Sequence, residues 1–301
     1  MNAEGLPTTI PEYLEQLRAA LKGADPAMVQ DALYDAEEYL RSELAEQAGK
    51  SEAEVIASVA GSYGAPEEVA EIYRDTEVKV ARALRPPPPP PRKSPLGRFF
   101  GVAADPRTYG ALFYMLLALA TGTFYFTWVV TGASLSLGLL ILIVGIPLLL
   151  LFLMSVRLLS LVEGRIVEAL LGERMPRRPP YTQRDKPWLK RLGELFTDPR
   201  TWTAMLYFLL MLPLGTAYFT VATTLLSTAV AFILSPLSLL GSHLFGFWYD
   251  GDNLLWTIPW LPWLTPFAGV LLLFATLHLA RAIGRFHGWL AKHLLVRDPV
   301  V

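Results

Sequence analysis

The chain has 301 residues, of which 53% are hydrophobic and only 18% are charged. That composition is too apolar for an ordinary soluble globular protein. The formal net charge of −1 conceals two opposite halves, since residues 1–84 hold 17 acidic against 7 basic side chains and residues 85–301 hold 10 against 19. The absence of cysteine excludes a disulfide scaffold, a thiolate metal site and a cysteine nucleophile.

The acidic residues 1–84 have the pattern of a cytoplasmic bundle of four short helices. Apolar side chains recur at helical spacing in four segments, near residues 11–22, 26–47, 52–60 and 65–80. Glycine ends the first two, and Ser51–Glu54 has the form of a capping box that opens the third. A bundle this small buries little apolar surface, so we expect it to dock on a partner, a second copy or the ends of membrane helices. Its carboxylates argue against direct binding of nucleic acid.

Residues 85–97 are predicted to be a linker, because Pro86–Pro91 is a run of six prolines. As polyproline II, at about 3.1 Å per residue, this run would span roughly 19 Å. We expect a semi-rigid spacer between the front domain and a membrane domain over residues 98–301.

Three long segments carry no acidic or basic side chain: Thr108–Val156, Thr201–Tyr249 and Asn253–Ala280. A helix needs about 20 apolar residues to cross a bilayer. We predict four spans, with the small residues Gly132–Gly138 forming a turn between the first two; the spans lie near residues 109–131, 137–158, 202–224 and 266–283. The chain is therefore predicted to be an all-α integral membrane protein.

Basic residues indicate the orientation of these spans. Lysine and arginine are abundant in residues 157–200 and 281–301 and absent from residues 108–156 and 201–280. Segments rich in these residues remain cytoplasmic, which predicts cytoplasmic termini and an even number of crossings in the cell membrane. Residues 228–248 are apolar enough for a fifth crossing, but that would place the basic C-terminal segment outside. We favour a re-entrant or interfacial excursion there.

The membrane domain contains an internal repeat. Asp105–Trp128 and Asp198–Val221 are identical at more than half of their positions, and both begin with Asp-Pro-Arg-Thr. Repeat one is predicted over residues 98–172 and repeat two over residues 191–295, with an extra extracytoplasmic insert near residues 241–265. Both copies begin and end inside, so the repeats are expected to be parallel.

The Asp-Pro-Arg-Thr element has two interpretations. Asp105 and Asp198 are good N-caps, proline fits a first helical turn, and Arg107 and Arg200 would lie at the level of the cytoplasmic headgroups. The simpler interpretation is a helix cap with a positive-inside anchor. The alternative is a specific contact with a lipid headgroup or a subunit.

The insert of repeat two is rich in tryptophan. Such a density is typical of an interfacial belt, and the alternative is an aromatic-walled pocket or lipid-contact surface that faces outside. Asp250 and Asp252 could suggest a calcium-binding site, but they lack the ligand spacing of an EF-hand loop, so a plain turn is favoured. The candidate ligand or lipid contacts are Trp248, Tyr249, Asp250, Asp252, Trp256, Trp260 and Trp263.

Two stretches resemble known families. The front domain resembles the HAAS (helix-turn-helix-associated α-helical) signalling domain, through Tyr13–Leu17, Asp35–Leu40 and Gly64–Ala70. Residues 98–295 resemble the prokaryotic four-helix "putative sensor" family, through Asp105–Thr108, Gly122–Phe126, Leu139–Pro147 and Phe245–Trp248. The first resemblance implies a partner regulator of the PadR type, a winged-helix DNA-binding repressor, which would dock at a turn made of Gly64, Pro66, Glu67 and Glu68. The second often implies a sensor fused to a histidine kinase, a module that does not follow here.

The leading hypothesis is a membrane sensor that signals to a separate cytoplasmic regulator. A small transporter or lipid-handling protein is the alternative, although the predicted spans carry no charged residue away from their inner ends that could couple transport. An enzyme is not favoured, because no histidine spacing suits a metal and no nucleophile is paired with a base. We expect no cofactor, and we expect contacts with membrane lipids and self-association of the chain. His278 is expected to be a packing or hydrogen-bonded residue, and Glu163, Arg165 and Glu168 to be ion-paired at a helix end.

The opposite charges of the two parts suggest one further hypothesis. Both charge populations are predicted on the same side of the membrane, so the acidic front domain could dock reversibly on a basic inner rim.

Overall fold

The computed structural model describes residues 7–47, 49–84, 94–142, 144–177, 188–237 and 260–296. Over these ranges the chain consists of helices and turns without a strand, which confirms the all-α class. The proline run, the predicted fifth apolar segment beyond residue 237 and most of the insert lie outside the described residues. The chain divides into two compact units: the first comprises Met1–Pro88, Val130–Tyr207 and Trp289–Val301, and the second comprises Pro89–Val129 and Phe208–Gly288.

The front bundle belongs to the first unit and has the four predicted helices. They are α1 (Ile10–Ala20), α2 (Pro26–Glu46), α3 (Glu52–Ala60) and α4 (Pro66–Leu84). The side chains of Thr9 and Asp25 cap α1 and α2 by accepting hydrogen bonds from backbone N–H groups. Both halves of the Ser51–Glu54 capping box are formed. Local capping chemistry therefore sets the helix starts, as the sequence predicts.

One apolar core holds the four helices together. Tyr13, Leu17, Leu40 and Ile56 are at most 1% exposed. The Tyr13 hydroxyl donates to the Gly64 carbonyl oxygen at 2.8 Å, which ties α1 to the turn before α4. The Tyr73 hydroxyl on α4 donates to Asp35 Oδ2 on α2 at 2.7 Å, and burial beside that carboxylate raises the pKa of Tyr73 above its ordinary value. Each buried hydroxyl thus has an acceptor, as burial of a polar group requires.

Four later helices are long and apolar enough to cross a membrane. They are α6 (Pro106–Gly138), α7 (Gly145–Leu171), α9 (Pro199–Leu234) and α10 (Leu261–Leu295). A shorter helix precedes α6 and another precedes α9, namely α5 (Pro95–Phe100) and α8 (Trp188–Thr197). The four predicted spans are therefore confirmed as helices of sufficient length and composition, although each helix is longer than its predicted span.

The predicted turn at Gly132–Gly138 is wrong. Helix α6 continues to Gly138, a 3₁₀ turn follows at Leu139–Ile141, and α7 begins at Gly145. Gly132 is instead a packing position, because a Cβ atom there would lie 2.3 Å from the Phe152 ring. The close turn depends on Gly145, where a Cβ atom would lie 2.2 Å from the Leu139 carbonyl oxygen. Small residues are enriched both in turns and at helix contacts, so composition alone did not separate the two uses.

Matching hydrogen bonds support the internal repeat. The Tyr109 hydroxyl at the start of α6 donates to the Ala103 carbonyl oxygen at 2.8 Å. At the equivalent positions of repeat two, Trp202 Nε1 donates to the Phe196 carbonyl oxygen, also at 2.8 Å. In each repeat, the short segment that precedes the long helix is therefore bonded to the first turn of that helix.

The repeated glycines of α6 and α9 let two backbones touch within the second unit. A Cβ atom on Gly122 would lie 2.3 Å from the Met211 carbonyl oxygen, and one on Gly215 would lie 2.1 Å from the Ala118 carbonyl oxygen. Small residues at helix contacts in a bilayer allow close van der Waals packing. Gly122 and Gly215, which occupy equivalent positions in the two repeats, therefore form the two halves of one helix crossing.

We predict that Gly215→Ala destabilises the second unit, because its methyl group overlaps the Ala118 carbonyl and forces the helices apart. Overpacking of this kind typically costs about 1–3 kcal/mol. Thermal unfolding of the detergent-solubilised protein measures the loss. Gly138→Ala is the control, because a Cβ atom there meets nothing within 4 Å. Equal melting temperatures for the two variants would contradict the assignment of the crossing.

Candidate functional site

A buried carboxylate on the front bundle is the centre of the candidate site. Asp31 on α2 is 4% exposed. Its Oδ1 accepts the backbone N–H of Arg177 at 2.7 Å, and its Oδ2 accepts Arg174 Nη2 at 3.2 Å. An unpaired carboxylate is costly to bury, so this position requires the Arg174 guanidinium and the backbone N–H of residue 177. We call residues 172–177, which supply both contacts, the arginine strap.

The arginine strap is held on its other side by the end of α7. Gly172 ends that helix in a left-handed conformation, with φ of 75°. Met175 is fully buried, and a Cβ atom on Gly164 of α7 would lie 3.3 Å from its Cβ atom. Glu168 of α7 accepts Arg177 Nη2 at 2.7 Å. A continuous chain of contacts therefore joins α2 of the bundle to α7.

Further ion pairs extend this network. Arg174 also approaches Glu77 of α4 at 3.4 Å and Glu168 at 3.7 Å, and Arg165 pairs with Glu168 at 3.2 Å. The hydrogen bond to Glu168 raises the pKa of Arg177 above its ordinary value, which keeps the guanidinium charged. The predicted ion pairing of Arg165 and Glu168 is confirmed. Glu168 thus receives two strap arginines as well as its neighbour in α7.

Two more cations contact the bundle, both at α2 or at its N-cap. Lys292 near the end of α10 pairs with Asp25, the cap of α2. The Arg200 guanidinium in the first turn of α9 donates to the Tyr34 hydroxyl of α2, and its carbon atom lies 5.8 Å from the centre of that ring. We call the three cations that contact the bundle the basic rim, namely Arg174, Arg200 and Lys292. The hypothesis that the acidic bundle docks on basic residues is confirmed, and the reversibility of docking stays a prediction.

The Asp-Pro-Arg-Thr elements form helix caps and ion pairs at once. Asp105 and Asp198 each accept the backbone N–H of the arginine two residues later at 3.1 Å, as expected of caps. The second oxygen of each aspartate takes an arginine of the other repeat: Asp105 pairs with Arg281 at 3.0 Å and Asp198 with Arg157 at 2.6 Å. These pairs were not predicted, although both arginines are the first charges after long uncharged segments.

Buried polar side chains also link the two repeats inside the helices. The Tyr207 hydroxyl donates to Glu163 Oε1 at 2.8 Å within the first unit. Within the second unit, the Tyr114 hydroxyl lies 2.6 Å from His287 Nε2, and the Tyr218 hydroxyl lies 3.4 Å from Nδ1 of that ring. Glu163 and His287 are both 0% exposed. Glu163 is therefore a buried group inside α7 that accepts from a tyrosine, whereas the sequence predicted a position at a helix end; its ion pairing stays a prediction.

Tyr114 and Tyr207 occupy equivalent positions in the two repeats, and this identity was the sequence signal for these polar pairs. Each tyrosine reaches a polar group on the second long helix of the other repeat. His278 has the role expected of it, because its Nε2 lies 3.0 Å from the Phe99 carbonyl oxygen and its ring stacks on Phe99. No cluster of metal-binding side chains occurs among the residues that the structure describes.

The predicted outer contact residues are largely outside the described ranges. Trp248, Tyr249, Asp250, Asp252 and Trp256 fall in that group. Trp260 and Trp263, next to and within the start of α10, are 59% and 65% exposed. Their exposure suits contact with lipid, and the outer pocket stays a prediction.

The predicted partner-docking turn is well ordered by local contacts. Gly64 has φ of 113°, a conformation that favours glycine, and its carbonyl oxygen is held by Tyr13. Pro66 begins α4, and Glu68 Oε2 accepts the Ala65 N–H at 3.2 Å. Glu67 and Glu68 are exposed, in contrast to the covered Asp31. The turn therefore presents two carboxylates on a fixed backbone.

These features define the class: a multi-pass helical membrane protein whose small helical domain docks on charged helix ends. Residues 114–295 match the family model described as "Putative sensor", and residues 12–72 match the model described as HAAS. Since the first match covers more than half of the chain, the protein belongs to the "Putative sensor" family. Both suspected resemblances are thereby confirmed, in the expected order. No curated protein and no solved structure is significantly similar to the chain.

We predict that Asp31→Asn loosens the docking of the bundle, because it removes the negative charge between two strap arginines. Breaking a buried ion pair from one side typically costs about 3–5 kcal/mol. Hydrogen–deuterium exchange of the arginine strap should become faster in the full chain, since the Arg177 amide is held by Asp31. Glu38→Gln is the matched control, an exposed carboxylate on the same helix. Strap exchange that is unchanged in Asp31→Asn would contradict this role.

Proposed function

We propose that the protein is a membrane sensor that passes a stimulus from the membrane or the cell envelope to a separate cytoplasmic regulator of the PadR type. The observation that carries this proposal is the network through Asp31, the arginine strap and Glu168. It gives the end of a long apolar helix a direct mechanical and electrostatic connection to the HAAS bundle. A change in the position of α7 would move α2 through these contacts, without transmission along the proline linker. We propose no catalytic activity.

The proposed orientation places the bundle, the basic rim and both termini in the cytoplasm of a prokaryote. The density of lysine and arginine in residues 157–200, against none in residues 201–280, supports it. A regulator that binds DNA acts in the cytoplasm, so the same orientation brings the bundle and its proposed partner into one compartment.

The exposed turn at Glu67 and Glu68 is the proposed contact with the regulator. A winged-helix protein that binds DNA carries basic surface, and complementary charge accelerates and orients association. Because Asp31 is covered while this turn is exposed, the bundle can stay docked and still present a binding surface. Binding of the regulator would then depend on the contacts that hold the bundle on the membrane domain.

A second candidate function is a small transporter or lipid-handling protein. Glu163 and His287 are buried polar groups inside long apolar helices, and such groups often mark pathways for ions or substrates. Both are hydrogen-bonded to tyrosines from the other repeat, which equally suits a purely structural link. Flux measurements separate the two functions.

The partner proposal is tested by co-purification. The detergent-solubilised full chain should recover a winged-helix regulator from the cytoplasm of its host, and Glu67→Gln with Glu68→Gln should reduce recovery severalfold by removing the complementary charge. The matched control is Glu71→Gln with Asp75→Asn, which neutralises two exposed carboxylates on the same helix. Deletion of residues 1–84 should abolish recovery. Solute flux in liposomes without a recovered regulator would favour transport.

The proposed orientation is tested by labelling single cysteines in this cysteine-free chain. His293→Cys at the end of α10 and Leu237→Cys just beyond α9 both place the thiol at exposed positions. An impermeant maleimide added to intact cells should label position 237 and not position 293. Labelling of position 293 from outside would overturn the assignment of a cytoplasmic C-terminus.

A further inference from the structure

A small pocket that opens to the surface, with room inside for about one water molecule, lies beside the docked bundle in the first unit. Its polar lining consists of Arg157, Ser160 and Arg200, and its apolar lining of Leu161, Ala204 and Leu295. Two guanidinium groups and a hydroxyl beside an aliphatic wall suit an amphiphilic anion. The guanidinium group in particular matches the geometry of phosphate oxygens.

Among the residues that the structure describes, the charges around this cavity leave one cation without a carboxylate partner. Asp198 neutralises Arg157 at 2.6 Å, and it also accepts the backbone N–H of Arg200. The Arg200 side chain itself bonds to the neutral Tyr34 hydroxyl and, among the residues described, forms no ion pair with a carboxylate. The three charged groups therefore sum to one positive charge. A phosphate would bind this guanidinium more strongly than a phenol does, because a hydrogen bond between two charged groups is stronger.

The position of the cavity suggests where a phosphate would come from. Arg200 lies in the first turn of α9, and Arg157, near the middle of α7, is the first charged residue after the uncharged segment 108–156; both helices are long and apolar enough to span a bilayer. Basic pockets between such helices on the cytoplasmic side bind anionic lipid headgroups. We propose that this cavity binds a phosphate group, as carried by an anionic phospholipid of the cytoplasmic leaflet.

Phosphate binding and bundle docking share Arg200. An anion that takes this guanidinium competes with Tyr34, which is one of the contacts that hold α2 on the basic rim. The occupied cavity therefore weakens docking while the Asp31 network remains in place. This consequence rests on the proposed function of the bundle as the output domain. The choice of the cytoplasmic leaflet rests on the proposed orientation, whereas the phosphate site itself rests on neither.

The full chain in nanodiscs provides the test, with phosphatidylcholine alone or mixed with phosphatidylglycerol. Native mass spectrometry after release into detergent measures the retained phosphatidylglycerol. Arg200→Gln should weaken retention roughly tenfold, the effect of one lost charge-assisted contact. Arg107→Gln is the matched control, because it removes the equivalent arginine of repeat one, which is exposed and does not line the cavity.

A second variant and a second readout make the test independent of folding effects at Arg200. Ser160→Glu keeps both arginines and places a carboxylate in the cavity, so it should also lower phosphatidylglycerol retention. Spin labels at Glu38→Cys and His293→Cys report docking through the distribution of distances between them. With phosphatidylglycerol this distribution should broaden in the labelled chain that keeps Arg200 and not in the labelled Arg200→Gln variant. The same broadening with inorganic phosphate in phosphatidylcholine would assign the site to soluble phosphate as well.

Equal retention by Arg200→Gln and Arg107→Gln, with Ser160→Glu unchanged, would overturn the lipid site. These measurements contain no regulator, so they remain informative if co-purification finds none. Loss of retention without any change in label separation would confirm the phosphate site and refute the competition with Tyr34.

Discussion

Asp31 is a carboxylate without access to water, and the cost of burying it constrains everything around it. The arginine strap meets that cost with one backbone N–H and one guanidinium. The strap is in turn fixed to α7, where Met175 packs on Gly164 and Arg177 bonds to Glu168. A small bundle with a modest core thereby gains a second source of stability in the ends of the membrane helices. Its docked position is specified by geometry as well as by charge.

The internal repeat is used mainly to join one copy to the other. Asp105 and Asp198 are equivalent, and each pairs with an arginine from the opposite repeat. Tyr114 and Tyr207 are equivalent as well, and they reach His287 and Glu163 on the second long helices. Gly122 and Gly215 bring α6 and α9 into backbone contact. Duplication supplied first helices with the same contact residues, and divergence of the second helices supplied different partners for them.

Local chemistry made much of the fold predictable. Capping residues such as Asp25 and Ser51, together with uncharged segments of sufficient length, predicted the helix starts of the bundle and the four apolar helices. Contacts between residues that are far apart along the chain were harder to predict, because a single sequence does not reveal which arginine faces Asp31. Gly132 illustrates a different difficulty, since the same residue type serves turns and close helix packing. The sequence thus predicted that the acidic bundle would face basic residues of the membrane domain. It did not predict which residues form the individual pairs.

The short distance along the chain between the end of α7 and the arginine strap has a consequence for engineering. Gly172 ends the helix, and Arg174 already contacts the bundle two residues later. The surface recognised by Asp31 is therefore encoded within the membrane domain and not within the bundle. A chimera that exchanges residues 1–84 between relatives would inherit a buried acid without its matching bases. A chimera that keeps the contact should therefore take residues 164–177 from the same relative as the bundle. The boundary of that second exchanged segment belongs after the arginine strap.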